Sequence, residues 1–217
     1  MEPDTVSIGY VHPGTVTEPF ARSLAQLCLW QPNKIVGLIS VSNPRQEVAR
    51  NEAIKNFLES PSEWFMWIDT DMSFEHDAVE KLRATALKHD ADMVAGLAFI
   101  YNRGAHTIFP NMFEYTGPEE GFKPVEDYES GKVYEIDGTG SAFVLIHRRV
   151  YERWDNEYWH QTWRRHHVTD QPIGHDLAFC YIATQEDGYK LLYDTNVKTG
   201  HIKAMALTEE NYRASQT

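Results

Sequence analysis

Cysteine is scarce in this chain. Only Cys28 and Cys180 occur among 217 residues. Two thiols make neither a disulfide framework nor a zinc pattern, so a reducing, cytoplasmic setting is expected. Long apolar runs are also missing: no stretch approaches the roughly 20 residues that a membrane-spanning helix needs. The acidic, polar N-terminus does not read as a signal peptide. Positive charge is in deficit, with 20 Lys and Arg against 32 Asp and Glu, a formal net charge of −12. A protein that holds nucleic acid electrostatically needs a basic face, so that class loses support, although a local basic groove is still allowed. There is no Gly-x-Gly-x-x-Gly and no Walker loop, which disfavours dinucleotide-binding and P-loop ATPase readings. No internal repeat or low-complexity segment occurs. The length suits one α/β domain with a good core.

Within that domain the informative stretch is Glu63-Trp64-Phe65-Met66-Trp67-Ile68-Asp69-Thr70-Asp71. Trp64 to Ile68 is an apolar run without alternation, as expected of a strand covered on both faces. It ends abruptly in two carboxylates. In open α/β sheets, ligands bind just beyond the carboxyl ends of strands. Two carboxylates there repel each other unless a cation joins them, and Mg²⁺ or Mn²⁺ shared with a diphosphate is the common solution. The competing reading is a helix cap, with Asp71 or Ser73 starting the next helix. The buried strand in front of the acids favours the cation.

The rest of the chain supplies a frame. Val6 to Val11 reads as the first strand, His12-Pro13-Gly14 as its break and Glu18 to Leu29 as a helix. His12 reads as a turn residue before a catalyst. Ile35 to Val41 is expected to be a second buried strand. Asn43 is expected to cap a helix running to about Leu58, with Pro44 at its first position and Gln46 closing a capping box. Arg50 and Asn51 lie beside the apolar stripe of that helix; Arg50 is either an ordinary solvated or ion-paired residue, or one that meets a phosphate or Asp69. A helix over Phe74 to Lys88 and a strand over Asp92 to Ala98 complete a β-α-β-α-β-α-β order, which implies a mainly parallel sheet.

Beyond that point the pattern loosens. Residues 99–136 read as an irregular insert with a short hairpin over the sheet's C-terminal edge. Gly138-Thr139-Gly140-Ser141 is a glycine-relieved turn entering a strand, open to a ligand or simply tight. The segment with Trp159, His160, Trp163, Arg164, Arg165, His166 and His167 reads as a mobile substrate-side loop ahead of a zinc site. Asp176 sits where an N-cap belongs, before a helix over Leu177 to Asp187 that Gly188 ends. Lys190 to Tyr193 is a strand, and His201 follows Gly200 after Val197. Three parts result: residues 1–98, 99–203 and a polar tail, 204–217, expected to fray or fold over the site.

This order of pieces resembles the GT-A glycosyltransferases, above all short family-2-like members encoded by phages and bacteria. The matching pieces are Val6 to Val11, Ala49-Arg50-Asn51-Glu52-Ala53, Trp67 to Met72, Gly138 to Ser141, Gly174-His175-Asp176 and Gly200-His201. The resemblance implies a Rossmann-like, mostly parallel sheet flanked by helices in a single domain. Residues 1–98 would form its nucleotide-binding half and 99–203 its acceptor side. It implies that Val11, His12, Pro13, Arg50, Asn51, Asp69, Thr70 and Gly140 help hold the nucleotide. Asp69 would face the ribose or a metal-bound water, Asp71 would ligate Mn²⁺ or Mg²⁺, and His201 would add a ligand. Asp176 matches the base of inverting members. Those members usually carry an acid just before it, where this chain has His175, so either residue is a candidate for the proton. The implied activity is metal-dependent transfer of a sugar, by default from a UDP-sugar, to an acceptor hydroxyl on a glycan, a protein or a modified nucleic acid. Two other readings compete. A nucleotidyltransferase or phosphoesterase would use the same cation but favours a Gly-rich basic first loop. A non-catalytic sugar-nucleotide-binding module would not need Asp69, Asp71, Asp176 and His201 together.

Overall fold

A computed structural model of the protein describes residues 2–102, 107–153, 164–165 and 172–204. The aromatic and histidine-rich segment singled out above lies outside the described residues except for Arg164 and Arg165, as do Arg103, Gly104 and the tail beyond residue 204. The first half alternates as expected: β1 (Glu2–Val11), α1 (Glu18–Trp30), β2 (Ile35–Val41), α2 (Gln46–Glu59) and β3 (Ser62–Ile68). Then come β4 (Met72–Phe74), α3 (Ala78–His89) and β5 (Met93–Leu97). The insert forms two hairpins, β6 (Phe99–Asn102) with β7 (Thr107–Pro110), and β8 (Phe113–Tyr115) with β9 (Phe122–Pro124). It leads through β10 (Val133–Ile136) and β11 (Phe143–His147) to α4 (Arg148–Glu152). A two-residue ladder pairs β12 (Arg164–Arg165) with β13 (Pro172–Ile173). The chain continues through α5 (His175–Tyr181), a π-helical turn at Ile182–Glu186 and β14 (Leu191–His201).

The central sheet runs β10-β14-β5-β11-β3-β1-β2, with β4 attached to β14. Strands β2, β1, β3, β5 and β14 share one direction, while β11 enters antiparallel between β3 and β5. Fold class is therefore as the resemblance implies, a mostly parallel sheet flanked by helices. Strand β3 lies between β1 and β11, and its alternate side chains face opposite sides. Phe65 and Trp67 pack with Ala53, Phe57, Tyr151 and Phe179 on one face. Trp64, Met66 and Ile68 pack with Phe20, Leu27 and Leu82 on the other. Two helical layers thus explain why this strand has no polar alternation. The close approach of β1 to β3 requires Gly9, because a Cβ there would stand 2.1 Å from the Phe65 ring.

Four sequence expectations are corrected. Strand β2 is the sheet's edge, with Val36 and Leu38 exposed by 44% and 51%, so its apolar composition does not mean burial on both faces. Helix α2 starts at Gln46; Asn43 Oδ1 accepts from Arg45 N at 2.9 Å, so Asn43 and Pro44 form a turn ahead of the helix and not its cap. Met72-Ser73-Phe74 is not helical but pairs with Thr199-Gly200-His201, which delays α3 to Ala78. The pieces at Lys190–Tyr193 and Val197–His201 are one strand, β14. Its register slips between Asp194 and Lys198, letting it leave β5 and continue onto β4. That slip carries His201 to the Asp69–Asp71 turn. Among the described residues no helix is long and apolar enough to cross a membrane.

A candidate donor and cation site at the strand ends

The turn after β3 is held from several sides. Asp69 N donates to Ala142 O at 2.9 Å, and Met72 N to Asp69 O at 3.1 Å. Both the backbone N and Oγ1 of Thr17 donate to Thr70 O at 3.0 Å. The Thr17 hydroxyl also caps α1 by accepting from Phe20 N at 3.4 Å. Neither Asp71 nor Ser73 caps a helix, which removes the competing reading of the acidic turn: α3 begins after Asp77. A cleft of about 470 Å³ opens over this turn, within the usual range for a ligand pocket. Of the residues expected at the nucleotide, Val11, Pro13, Asp69 and Thr70 line it, and Asp71 joins them.

His12 is not among its described lining residues; its Nε2 meets Ser40 Oγ at 3.0 Å and its Nδ1 accepts from Gly14 N at 3.0 Å. Gly140 is engaged elsewhere as well, donating its N–H to Asn111 Oδ1 at 2.8 Å and accepting from Asn111 Nδ2 at 3.2 Å. Its missing side chain makes room for that amide, since a Cβ would stand 3.0 Å from Asn111 Nδ2. Asn51 sits half-buried on α2.

Asp71 and His201 come together. Their Oδ1 and Nε2 atoms are 3.2 Å apart. The other ring nitrogen, Nδ1, lies 2.7 Å from Phe99 O, a partner that requires Nδ1 to carry a proton. Without metal the Asp71 carboxylate favours the protonated ring; once neutral, a ring held in this way presents the Nε2 lone pair towards Asp71, as histidine ligands do when a carbonyl fixes the tautomer. Nε2 is buried and makes no aligned hydrogen bond among the described residues. The two atoms form an ion pair when the ring is protonated, and with the ring neutral they would be two protein ligands for one divalent cation. Asp69 does not complete the set: its Oδ1 accepts from Arg50 Nη2 at 3.1 Å. Among the described residues no group of three or more His, Cys, Asp or Glu side chains is placed to hold a metal.

Arg50 is only 1% exposed. Its guanidinium spans Asp69 and Asp176, with Nε 3.6 Å from Asp176 Oδ1, and it lies 4.8 Å from the Trp67 ring centre. Trp67 is in turn fixed by donating Nε1–H to Tyr151 Oη at 3.0 Å. Burial pushes the Asp69 carboxyl up; Arg50 opposes this, while Asp176 and Asp71 add to it. Asp176 is not the helix cap, because Gly174 holds that position. Its Oδ1 instead accepts from Ser141 Oγ at 2.7 Å and lies 3.0 Å from His175 Nδ1. The Gly138–Ser141 turn therefore contributes a hydroxyl to Asp176.

Two residues outside the sequence expectations also belong here: Thr17, which ties α1 to the acidic turn, and Lys203, whose Nζ is 2.7 Å from Asp71 Oδ2. Lys203 follows His201 by two positions, the spacing that keeps extended side chains on one side; that spacing was the available signal.

The ion pair sets a pH dependence. Burial acts to raise the Asp71 carboxyl, but His201 and Lys203 bring it down to about 2 from 3.8. The Asp71 carboxylate raises His201 above 6.5, against desolvation. A depressed acid contributes stability above its unfolded value and loses it as pH falls through the folded one. A raised histidine contributes below its unfolded value and loses it as pH rises through the folded one. Without metal, the pair therefore stabilises the fold most between 3.8 and 6.5. The melting-temperature gap between wild type and His201→Gln should be widest there and narrow as pH rises beyond that window. A gap that widens towards alkaline pH would contradict the pairing.

No curated protein matches the sequence. Among solved structures, A197 from STIV is similar with a TM-score of 0.61 at 17% identity, over 92% of this chain and 86% of that one. GalNAc-T7, solved with UDP, GalNAc and Mn²⁺, is similar with a TM-score of 0.61 at 15% identity, over 93% of this chain. This chain spans only 43% of GalNAc-T7. At these identities the likeness shows the fold. Residues 16–154 match the family Glycosyl transferase family 2, a span that includes Arg50, Asp69 and Asp71 and ends before Asp176 and His201. That span is more than half of the chain, so the protein belongs to glycosyl transferase family 2 and is a glycosyltransferase of GT-A fold.

Proposed function

We propose that this glycosyltransferase uses Mn²⁺ or Mg²⁺ to bind a nucleotide-sugar, with a UDP-sugar as the first donor to test, and transfers the sugar to an acceptor hydroxyl with inversion. The observation that carries the reading is the pairing of Asp71 Oδ1 with the buried, unaligned Nε2 of His201 beside the cleft. Two protein ligands suffice, because Mg²⁺-type cations usually keep waters and take substrate phosphates for the rest. GalNAc-T7, which shares the fold, was solved with UDP and Mn²⁺. Bound at Asp71 and His201, the cation would offset negative charge gathering on the leaving diphosphate.

The protein's own groups do the rest. Thr17, Thr70 and Val11 shape the donor cleft. Asp69 faces that cleft while Arg50 neutralises it from beneath. Asp176 accepts the acceptor hydroxyl's proton as the oxygen attacks the sugar. Ser141 orients that carboxylate, and Arg50 links it to Asp69. A single domain carries both halves, residues 1–98 on the nucleotide side and 99–203 on the acceptor side.

Thermal shift tests the donor site. UDP with Mn²⁺ should raise the melting temperature of the wild type, because a ligand that binds only the native state stabilises it. Asp71→Ala should remain folded and lose the Mn²⁺-dependent part of that shift. Full Mn²⁺ dependence in the variant would remove Asp71 from the site.

A further inference from the structure

We propose that Lys203 binds the donor's diphosphate, and that its ammonium occupies Asp71 until donor and metal arrive; this rests on the nucleotide-sugar reading above. The last residue of β14 and the two that follow it wrap Asp71 closely. Ile202 N donates to Asp71 O at 2.7 Å, His201 Nε2 faces Oδ1 at 3.2 Å and Lys203 Nζ donates to Oδ2 at 2.7 Å. The two oxygens of one carboxylate are thus divided between an imidazole suited to a metal and an ammonium. Lys203 also lines the donor cleft, where it is the one cation among the described lining residues, together with the carboxylates of Asp69 and Asp71. Arg50, the other nearby cation, is buried beneath Asp69 and committed to carboxylates.

A diphosphate entering a cleft with two carboxylates needs positive charge beyond that of the cation it shares with Asp71. Lys203 is the group placed to supply it. Its side chain is 41% exposed. A flexible four-carbon stem at that exposure can leave Asp71 for a phosphate oxygen on the same cation without disturbing the fold. Before the donor binds, the same ammonium competes with the metal for the charge of the Asp71 carboxylate. The residue therefore has opposite effects on the two ligands: it weakens metal binding alone and strengthens nucleotide binding with metal.

Calorimetric titration of the full chain reads both. With MnCl₂ alone, Lys203→Met should bind about two- to fivefold more tightly than wild type, the scale of an exposed ion pair removed. With UDP at saturating Mn²⁺, the same variant should bind about tenfold or more weakly, the scale of a lost charge-assisted hydrogen bond. Lys203→Arg should stay near wild type on both counts. Unchanged UDP affinity in Lys203→Met, or Mn²⁺ affinity that is unchanged or weaker, overturns the assignment. A wild type that binds no UDP with Mn²⁺ defeats the donor reading itself; wild-type binding that Lys203→Met leaves intact defeats only the role of Lys203.

Discussion

Asp176→Asn should lower sugar transfer by about 10²–10⁴-fold while UDP and Mn²⁺ affinities hold, because an amide cannot accept the acceptor's proton. The structure sharpens this expectation. As a helix cap, Asp176 would be replaced by Asn at little cost. Instead its carboxylate takes the Ser141 hydroxyl and faces Arg50. An Asn side-chain oxygen keeps the Ser141 bond but offers Arg50 no charge, so a loss of about 1–2 kcal/mol of stability accompanies the catalytic defect. The variant should still fold and bind donor. His175→Gln should keep most activity, since His175 lies beside Asp176 at 3.0 Å without replacing it. Transfer lost in His175→Gln and kept in Asp176→Asn would move the base to the histidine. Transfer kept in both would point to a retaining reaction or to a base elsewhere.

The second large effect is expected at Arg50. Its guanidinium is buried, stacked near Trp67 and shared by Asp69 and Asp176. Arg50→Met fills much of the volume but leaves two partly buried carboxylates without their common cation. Removing one partner of a buried ion pair costs about 3–5 kcal/mol. In a chain of this size that corresponds to a melting temperature lower by about 10 °C. Arg50→Lys should recover only part, because a compact ammonium cannot reach both carboxylates while sitting over the indole. The Asp69 carboxyl, already pushed up by burial, loses its main opposing charge, so the loss should be larger at neutral pH than in acid, where the carboxylates are protonated. A melting temperature within a degree or so of wild type would show that Arg50 does not hold the two carboxylates together. A direct phosphate contact by Arg50 is also separated here: it would weaken UDP binding with little effect on the unliganded fold.

The sequence by itself determined the sheet's central strand and the position of its acids. Trp64 to Ile68 has no polar residue, so it had to be covered on both sides, and the change to Asp69-Thr70-Asp71 had to lie at the strand's end. Helix α1 was legible from its apolar spacing, as was the α/β class from the order of its elements. Local pattern failed where burial depends on neighbours distant in sequence. Strand β2 looks like a core strand by composition, yet it is the edge, because strand order is set by crossover connections and not by residue type. Helix α3 was expected from Phe74, too early; the pairing of Met72 to Phe74 with β14 comes from residues more than a hundred positions away.

Only the tertiary structure decided the site's internal partnerships. The register slip in β14 brings His201 to Asp71 and sets Lys203 on the other oxygen of the same carboxylate. The packing of α2 and α5 against β3 buries Arg50 between Asp69 and Asp176 and takes Asp176 away from capping. The physical reason is common to both. Apolar patterning states which face of an element is buried, whereas charge partners are chosen by three-dimensional proximity and desolvation, which emerge only when the elements pack.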